Sequence, residues 1–208
     1  MAVTAPKRHN HLRNKVFLFS TTAGLNPELE KPGLLQPRPQ IGGASESGAA
    51  PSDPSGRRPA DVYVPRWRSG LPLAMDFAVT SGIRQGSARA SVQDPSFAVT
   101  AYEDQKRNHL NTARLCSEEG LLFSPMVVEA NGGMWGPAAQ GVFSELAKTK
   151  SVFTGEPRDT ILGQLYQSLD VVLQRENARS ILKRMRAFQH EPHDLTDAAT
   201  TVLAEASH

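Results

Sequence analysis

Apolar positions recur at helical spacing near the start of the chain, with Leu12, Val16, Phe19 and Ala23 inside about Asn10 to Gly24. This period predicts an amphipathic helix, and Gly24 suits its C-terminal cap. A Pro-, Gly- and Ser-rich stretch from about Asn26 to Gly56 follows and reads as a flexible linker. The pattern then changes to short apolar runs. Asp61–Pro65 predicts a first strand, Pro65–Pro72 a turn, and Leu73–Thr80 a second strand. Ile83–Pro95 reads as a polar connection, and Ser96–Glu119 as one long helix ended by Gly120. Leu121–Glu129 is the third strand, broken by Asn131-Gly132-Gly133, and Pro137 opens a helix to about Lys148. From Asp159 to about Phe188 the helical pattern is strongest, with Leu162, Leu165, Leu169, Val172, Leu173, Ile181 and Met185 on one side.

Strands alternating with helices predict an α/β fold. A small mixed central β-sheet is flanked by helices, and a long amphipathic helix follows it. The chain divides into an N-terminal helix of the core (1–25), a linker (26–56), an α/β core (57–150), a helical C-terminal extension (151–190) and a tail (191–208). That last long helix packs either on the core or on a partner helix.

Composition narrows the classes. Hydrophobic residues make up 39% of the 208, which is compatible with one globular core. A formal charge of +2 does not by itself imply a nucleic-acid partner. Its distribution matters more, because Arg57, Arg58, Arg66 and Arg68 crowd around the first strand. Cys116 is the only cysteine, which excludes an intrachain disulfide and a cysteine-rich zinc site and suits a reducing, intracellular compartment. No apolar run approaches the ~20 residues of a membrane span. Pro6-Lys7-Arg8-His9 is basic but too short for a nuclear signal.

Two aspartates stand in or beside apolar strands, Asp61 in Arg58-Pro59-Ala60-Asp61-Val62 and Asp76 in Ala74-Met75-Asp76-Phe77-Ala78-Val79. A buried carboxylate needs a cationic partner or a metal. If the two strands form a hairpin, the carboxylates meet and offer the oxygen ligands that Mg²⁺ prefers. Lys106 lies one helical turn after Tyr102, at the edge of the apolar side of its helix, where its ammonium can reach the strands. The plain alternatives stay open. Asp61 could pair with Arg58 or Arg68, Asp76 could be solvated, Lys106 could face water, and Glu129 could cap a strand end. His9 and His11 could contact phosphate or simply be exposed. Trp67 and Trp135 could stack on bases or pack beneath loops.

These blocks together carry a resemblance. Arg8-His9-Asn10, Arg58-Pro59-Ala60-Asp61-Val62, Ala74 to Thr80, Ala101-Tyr102-Glu103-Asp104-Gln105-Lys106, and Phe123 to Glu129 with Gly132-Gly133 occur in a familiar order. Over about residues 8–148 the chain resembles the restriction-like nuclease domain of the PD-(D/E)XK superfamily. The form in question ends the polyproteins of site-specific non-LTR retrotransposons and related reverse-transcriptase-like elements.

The resemblance implies a metal-dependent DNA endonuclease. Asp61 and Asp76 would ligate Mg²⁺ or Mn²⁺, and Lys106 would join them as the catalytic lysine. Glu129, His9 and Tyr102 would be secondary site residues, and Arg57, Arg58, Arg66 and Arg68 would contact DNA. A reverse-transcriptase module, or a second copy through the C-terminal helix, would be a partner, and action on chromosomal DNA would place the protein in the nucleus.

Three departures stand out. Ala78 occupies the place of the family's lysine, so that role must pass to Lys106, as in some branches of the family. The first motif reads Pro-Ala-Asp. The first helix has no glutamate, and the nearest are Glu28 and Glu30. Two other readings are an inactive relic that binds DNA or protein, and a helical interaction protein built on Asp159–Phe188.

Overall fold

In a computed structural model, residues 5–36, 59–84 and 88–190 are described, with side chains from 8 to 186. Helix α1 (Ala5–Thr22) is followed by a two-residue strand β1 (Glu28–Leu29), then β2 (Val62–Val64) and β3 (Leu73–Thr80). Helices α2 (Ala88–Gln93), α3 (Phe97–Asn108) and α4 (Thr112–Glu118) lead into β4 (Leu122–Glu129). Helices α5 (Pro137–Thr154) and α6 (Arg158–His190) complete the order. The sheet is mixed, in the order β1-β2-β3-β4, with β3 and β4 parallel and the other pairs antiparallel.

Alternation along β3 sorts the two faces. Leu73, Met75 and Phe77 point into the main core, where they meet Leu12 and Val16 of α1, Phe143 and Leu146 of α5, and Leu165 and Leu169 of α6. Ala78 points the other way, onto Val99 and the partly buried Tyr102 of α3 together with Val127 of β4. A third cluster, Leu35, Tyr63, Cys116 and Leu121, closes the far end of that face. The mixed α/β architecture with a long C-terminal helix is therefore the one expected. The first half of α6 belongs to the core, since Ile161, Leu165, Leu169 and Leu173 are buried. Further along, Ile181, Leu182 and Met185 are about half exposed.

Four expectations need correction. Residues 26–36 are not simply linker, because Glu28 and Leu29 pair with Tyr63 and Val62, and Leu35 is buried; residues 37–56 lie outside the described residues. The connection after Ile83 contains α2. The single helix over Ser96–Glu119 is broken at His109–Asn111, where Leu110 and Asn111 have φ of 54° and 56°. This left-handed step costs a leucine energy but is tolerated by asparagine. It redirects the chain so that Cys116 packs against Leu121 and Tyr63 instead of running on past the sheet. Finally, α1 begins earlier than Asn10, so His9 and His11 both lie on it.

Candidate active site

The antiparallel β2/β3 pairing sets Val62 opposite Met75, and Asp61 immediately precedes it. Asp61 donates its main-chain N–H to Met75 O at 2.9 Å, and its Oδ2 accepts the Phe77 N–H at 2.7 Å. Where β2 gives out, the carboxylate thus takes the place of a ladder carbonyl. Asp61 grips the chain on both sides of Asp76, and the two carboxyl groups come within hydrogen-bonding reach of each other. The hairpin expected from sequence does bring them together.

Among the described residues, His9 pairs with Asp61 and Lys106 with Asp76. His9, one turn into α1, places Nε2 3.0 Å from Asp61 Oδ2, while its Nδ1 lies 3.0 Å from Asn10 Oδ1. Its ring stands edge-on to Phe77, with centroids 6.4 Å apart. On the other side of the sheet, Lys106 Nζ donates to Asp76 Oδ2 at 2.7 Å and to Phe77 O at 3.3 Å. Full solvation of Asp76 gives way to this geometry; of the two arginines weighed for Asp61, Arg68 pairs with Glu145 instead, and Arg58 lies outside the described residues.

The electrostatics separate the two acids. The hydrogen bond to Asp61 raises His9 above the usual histidine range, against the opposing effect of burial, and Asn10 adds to the rise. Burial pushes Asp61 up, but the His9 hydrogen bond and charge and the Phe77 N–H outweigh it, so its carboxyl lies below the usual range. Asp76 moves the other way, raised by burial and by the neighbouring Asp61, with Lys106 opposing. Two neighbouring carboxyls shifted in opposite directions repel each other when both are ionised, and Lys106 and His9 offset part of that repulsion, as a bound cation would.

The other site candidates divide. Tyr102 lines a cleft of about 280 Å³ with Asp76, Gln105, Lys106, His109 and Thr112, beside the acid pair. Glu129 does not join it. Four residues along β4 from the level of Asp76, it accepts main-chain N–H groups from Gly82, Asn131 and Gly132 and fastens the Gly132 turn. Arg66 and Arg68 sit at the hairpin turn beyond Val64, at the far end of β2 from Asp61. Arg68 pairs there with Glu145 at 2.9 Å. Arg57 and Arg58 lie outside the described residues. His11 pairs with Glu176 at 3.0 Å, and Glu30 with Arg13. Trp135 is buried edge-on to Phe143, and Trp67 packs on the core, so both serve packing.

Two residues that brace this site are not singled out by the sequence, although Glu103 lies within the Ala101–Lys106 block. Glu103 of α3 is only 1% exposed, accepts the Ala138 N–H at 3.1 Å, and pairs with Arg107 at 3.1 Å. Asn177 of α6 accepts from Arg8 at 2.6 Å and donates to Ala130 O at 2.7 Å, which ties the His9 end of α1 to the sheet. A faint signal for Glu103 exists. The first turn of α5 has Gly136 at its N-cap and no acidic residue, so its free N–H groups need an acceptor from elsewhere.

Among the described residues no group of three or more His, Cys, Asp or Glu is arranged to hold a metal ion. The donor set still fits a hard divalent cation. Mg²⁺ is commonly held by one or two carboxylates, with water and substrate phosphate completing its shell. Asp61 and Asp76 supply the carboxylates. Asp76 Oδ2 and Phe77 O already converge on one cation, the Lys106 ammonium. No helix among the described residues is long and apolar enough to cross a membrane. No protein-family model matches the chain, and no curated protein matches it.

Proposed function

We propose that this chain is a restriction-like, divalent-metal-dependent DNA endonuclease domain of retroelement origin. The observation that carries the reading is Lys106 Nζ 2.7 Å from Asp76 Oδ2, with Asp61 bonded to the main chain on both sides of Asp76. Asp61 and Asp76 would hold Mg²⁺ or Mn²⁺, which when bound supplies Lewis-acid activation of a phosphodiester and of water.

The chain's own residues account for the rest. His9 keeps Asp61 ionised and fixes its orientation through the 3.0 Å contact. Asp61, held also by the Phe77 N–H, keeps its carboxylate at Asp76 rather than in solvent. Lys106 has its ammonium where it can orient an attacking water or balance charge gathering on the phosphorus oxygens. Its stem is held by a helix packed on the sheet, so the ammonium is positioned before substrate arrives. Tyr102 and His109 line the open cleft next to it, where the sugar-phosphate would lie.

The test is nicking of supercoiled DNA with Mg²⁺ or Mn²⁺. Wild type should nick, and Asp76→Asn and Lys106→Met should each lose at least about 100-fold, the scale on which losing one preorganised charge-stabilising group is felt. Equal nicking by wild type and Asp76→Asn would refute the reading.

One observation favours a second reading, an inactive relic that binds DNA or protein. Glu129 and Glu30, the acids that could have enlarged the ligand set, are taken by the Gly132 turn and by Arg13. Calorimetric titration with Mn²⁺ separates the two. No heat of metal binding together with retained DNA binding supports the relic.

A further inference from the structure

The cleft beside Asp76 does not end at Tyr102. A second hollow of about 250 Å³ shares Tyr102 and Gln105 with it and runs on past Thr80 to Phe97. Sharing these two residues, the hollows lie side by side along α3, and we read them as one groove with different chemistry at its ends. At one end stand Asp76, Lys106 and His109. At the other, Phe97, Ala98 and Ala101 make an apolar floor beside Thr80 and Arg84, with Tyr102 between the ends. Phe97 is 37% exposed although it opens a helix packed on the sheet.

We propose that this groove is a track for an unpaired DNA strand, with a base stacked on Phe97 and Tyr102 and the scissile phosphate at Asp76 and Lys106. The proposal rests on the nuclease reading and adds the substrate class, DNA with unpaired bases flanking the cleavage site. Three physical points support it. A groove that met only phosphates would be lined by cations and hydrogen-bond donors, and an apolar floor adds nothing for an anion. Aromatic rings bind the faces of bases, which a paired duplex keeps within its own stack, so this contact needs an unpaired base.

The spacing fits as well. Phe97 and Lys106 are nine residues apart on one helix, about 13 Å at ~1.5 Å per residue. Stacked neighbours in a strand are only ~3.4 Å apart. The stacked base therefore lies a few nucleotides from the phosphate held at the acid pair. A peptide could cover Phe97 equally well, but only one with an acidic residue at the right spacing would also bring an anion to Lys106 at the other end. A single strand brings both.

The experiment uses the full chain with Ca²⁺ in place of Mg²⁺, to prevent cleavage. Short DNA oligonucleotides carry 2-aminopurine at successive positions, and binding is followed by anisotropy. Wild type should bind unpaired DNA and quench the probe strongly at one or two adjacent positions and weakly elsewhere. Phe97→Ala should abolish that position-specific quenching. It should also reduce the preference for unpaired over paired DNA by roughly 5- to 150-fold, the equivalent of losing one base stack. Phe97→Tyr should retain both, which separates loss of the ring from loss of the fold.

Uniform quenching along the strand, or an unchanged preference in Phe97→Ala, would overturn the proposal, as would failure of wild type to bind unpaired DNA. Position-specific quenching in a protein that never nicks DNA with Mg²⁺ would keep the strand track and discard the nuclease chemistry.

Discussion

Replacing Gly136 by alanine tests the link that holds the lysine helix α3 in place. A Cβ at that position would lie 2.0 Å from Glu103 Oε1 and 2.6 Å from its Cδ. Neither distance is tolerable, so the carboxylate must leave. The backbone itself accepts alanine, since Gly136 has a φ of −66°. The cost is therefore that of the displaced carboxylate, which loses the Ala138 N–H and the Arg107 pair. Hydrogen bonds to a charged group contribute about 1.5–3 kcal/mol, and breaking a buried pair reaches about 3–5 kcal/mol. The restricted unfolded chain of alanine returns about 0.4–1 kcal/mol. Gly136→Ala should thus destabilise by about 3 kcal/mol, or a melting temperature lower by roughly 6–12 °C at this chain length. Glu103→Ala alone should cost about 2 kcal/mol.

The decisive measurement is the double mutant, by urea denaturation of all four proteins. With Glu103 truncated, the atoms that met the new Cβ are gone, and adding Gly136→Ala should change stability by less than about 1 kcal/mol. The cycle then shows a coupling of about 2–3 kcal/mol. Additive costs, agreeing within about 0.5 kcal/mol, would refute the packing of Glu103 against the start of α5.

Further predictions concern the elements around the acid pair. His9 has a raised pKa in the folded state, so the stability it contributes is fully present below its unfolded pKa and is lost as pH rises through the folded one. The gap in melting temperature between wild type and His9→Gln should therefore be wide at pH 5.5 and narrow at pH 8.5; a gap that widens with pH contradicts the His9–Asp61 contact. Asn177→Ala strips a partner from both Arg8 and Ala130 O and should cost about 1–3 kcal/mol. Hydrogen exchange should speed up at the start of α1 more than in α5, and uniform acceleration would argue against a local tether. A chain ending at Lys150 lacks Ile161, Leu165, Leu169 and Leu173 and should show no cooperative unfolding, whereas one ending at Arg186 should keep it. A cooperative transition in the shorter chain would make α6 an appendage.

Local pattern carried much of this molecule. The strand over Leu73–Thr80 and the helix beginning at Pro137 lie where their periods and capping residues put them, because both depend on neighbours a few residues away. Asp61 and Asp76 stood out as acids in apolar surroundings, and Lys106 as a cation at the edge of a helix that must cover the sheet. What those residues touch was decided by the tertiary fold. His9 meets Asp61 across 52 residues, and Glu103 meets Ala138 across 35. No period in the chain encodes either contact.

Glu129 is a secondary site candidate in sequence, yet the Gly132 turn offers it main-chain N–H groups at close range and keeps it there, as its strand-end alternative has it. The break at Leu110 and Asn111 is equally invisible, since residues 97–118 read as helix throughout. It is imposed by the burial of Cys116 and Leu121 against Tyr63. Hydrophobic spacing determines which segments become helix or strand, because that choice is local. The partner of a buried charge depends on which surfaces the packed core leaves within reach, and that follows only once the chain has closed on itself.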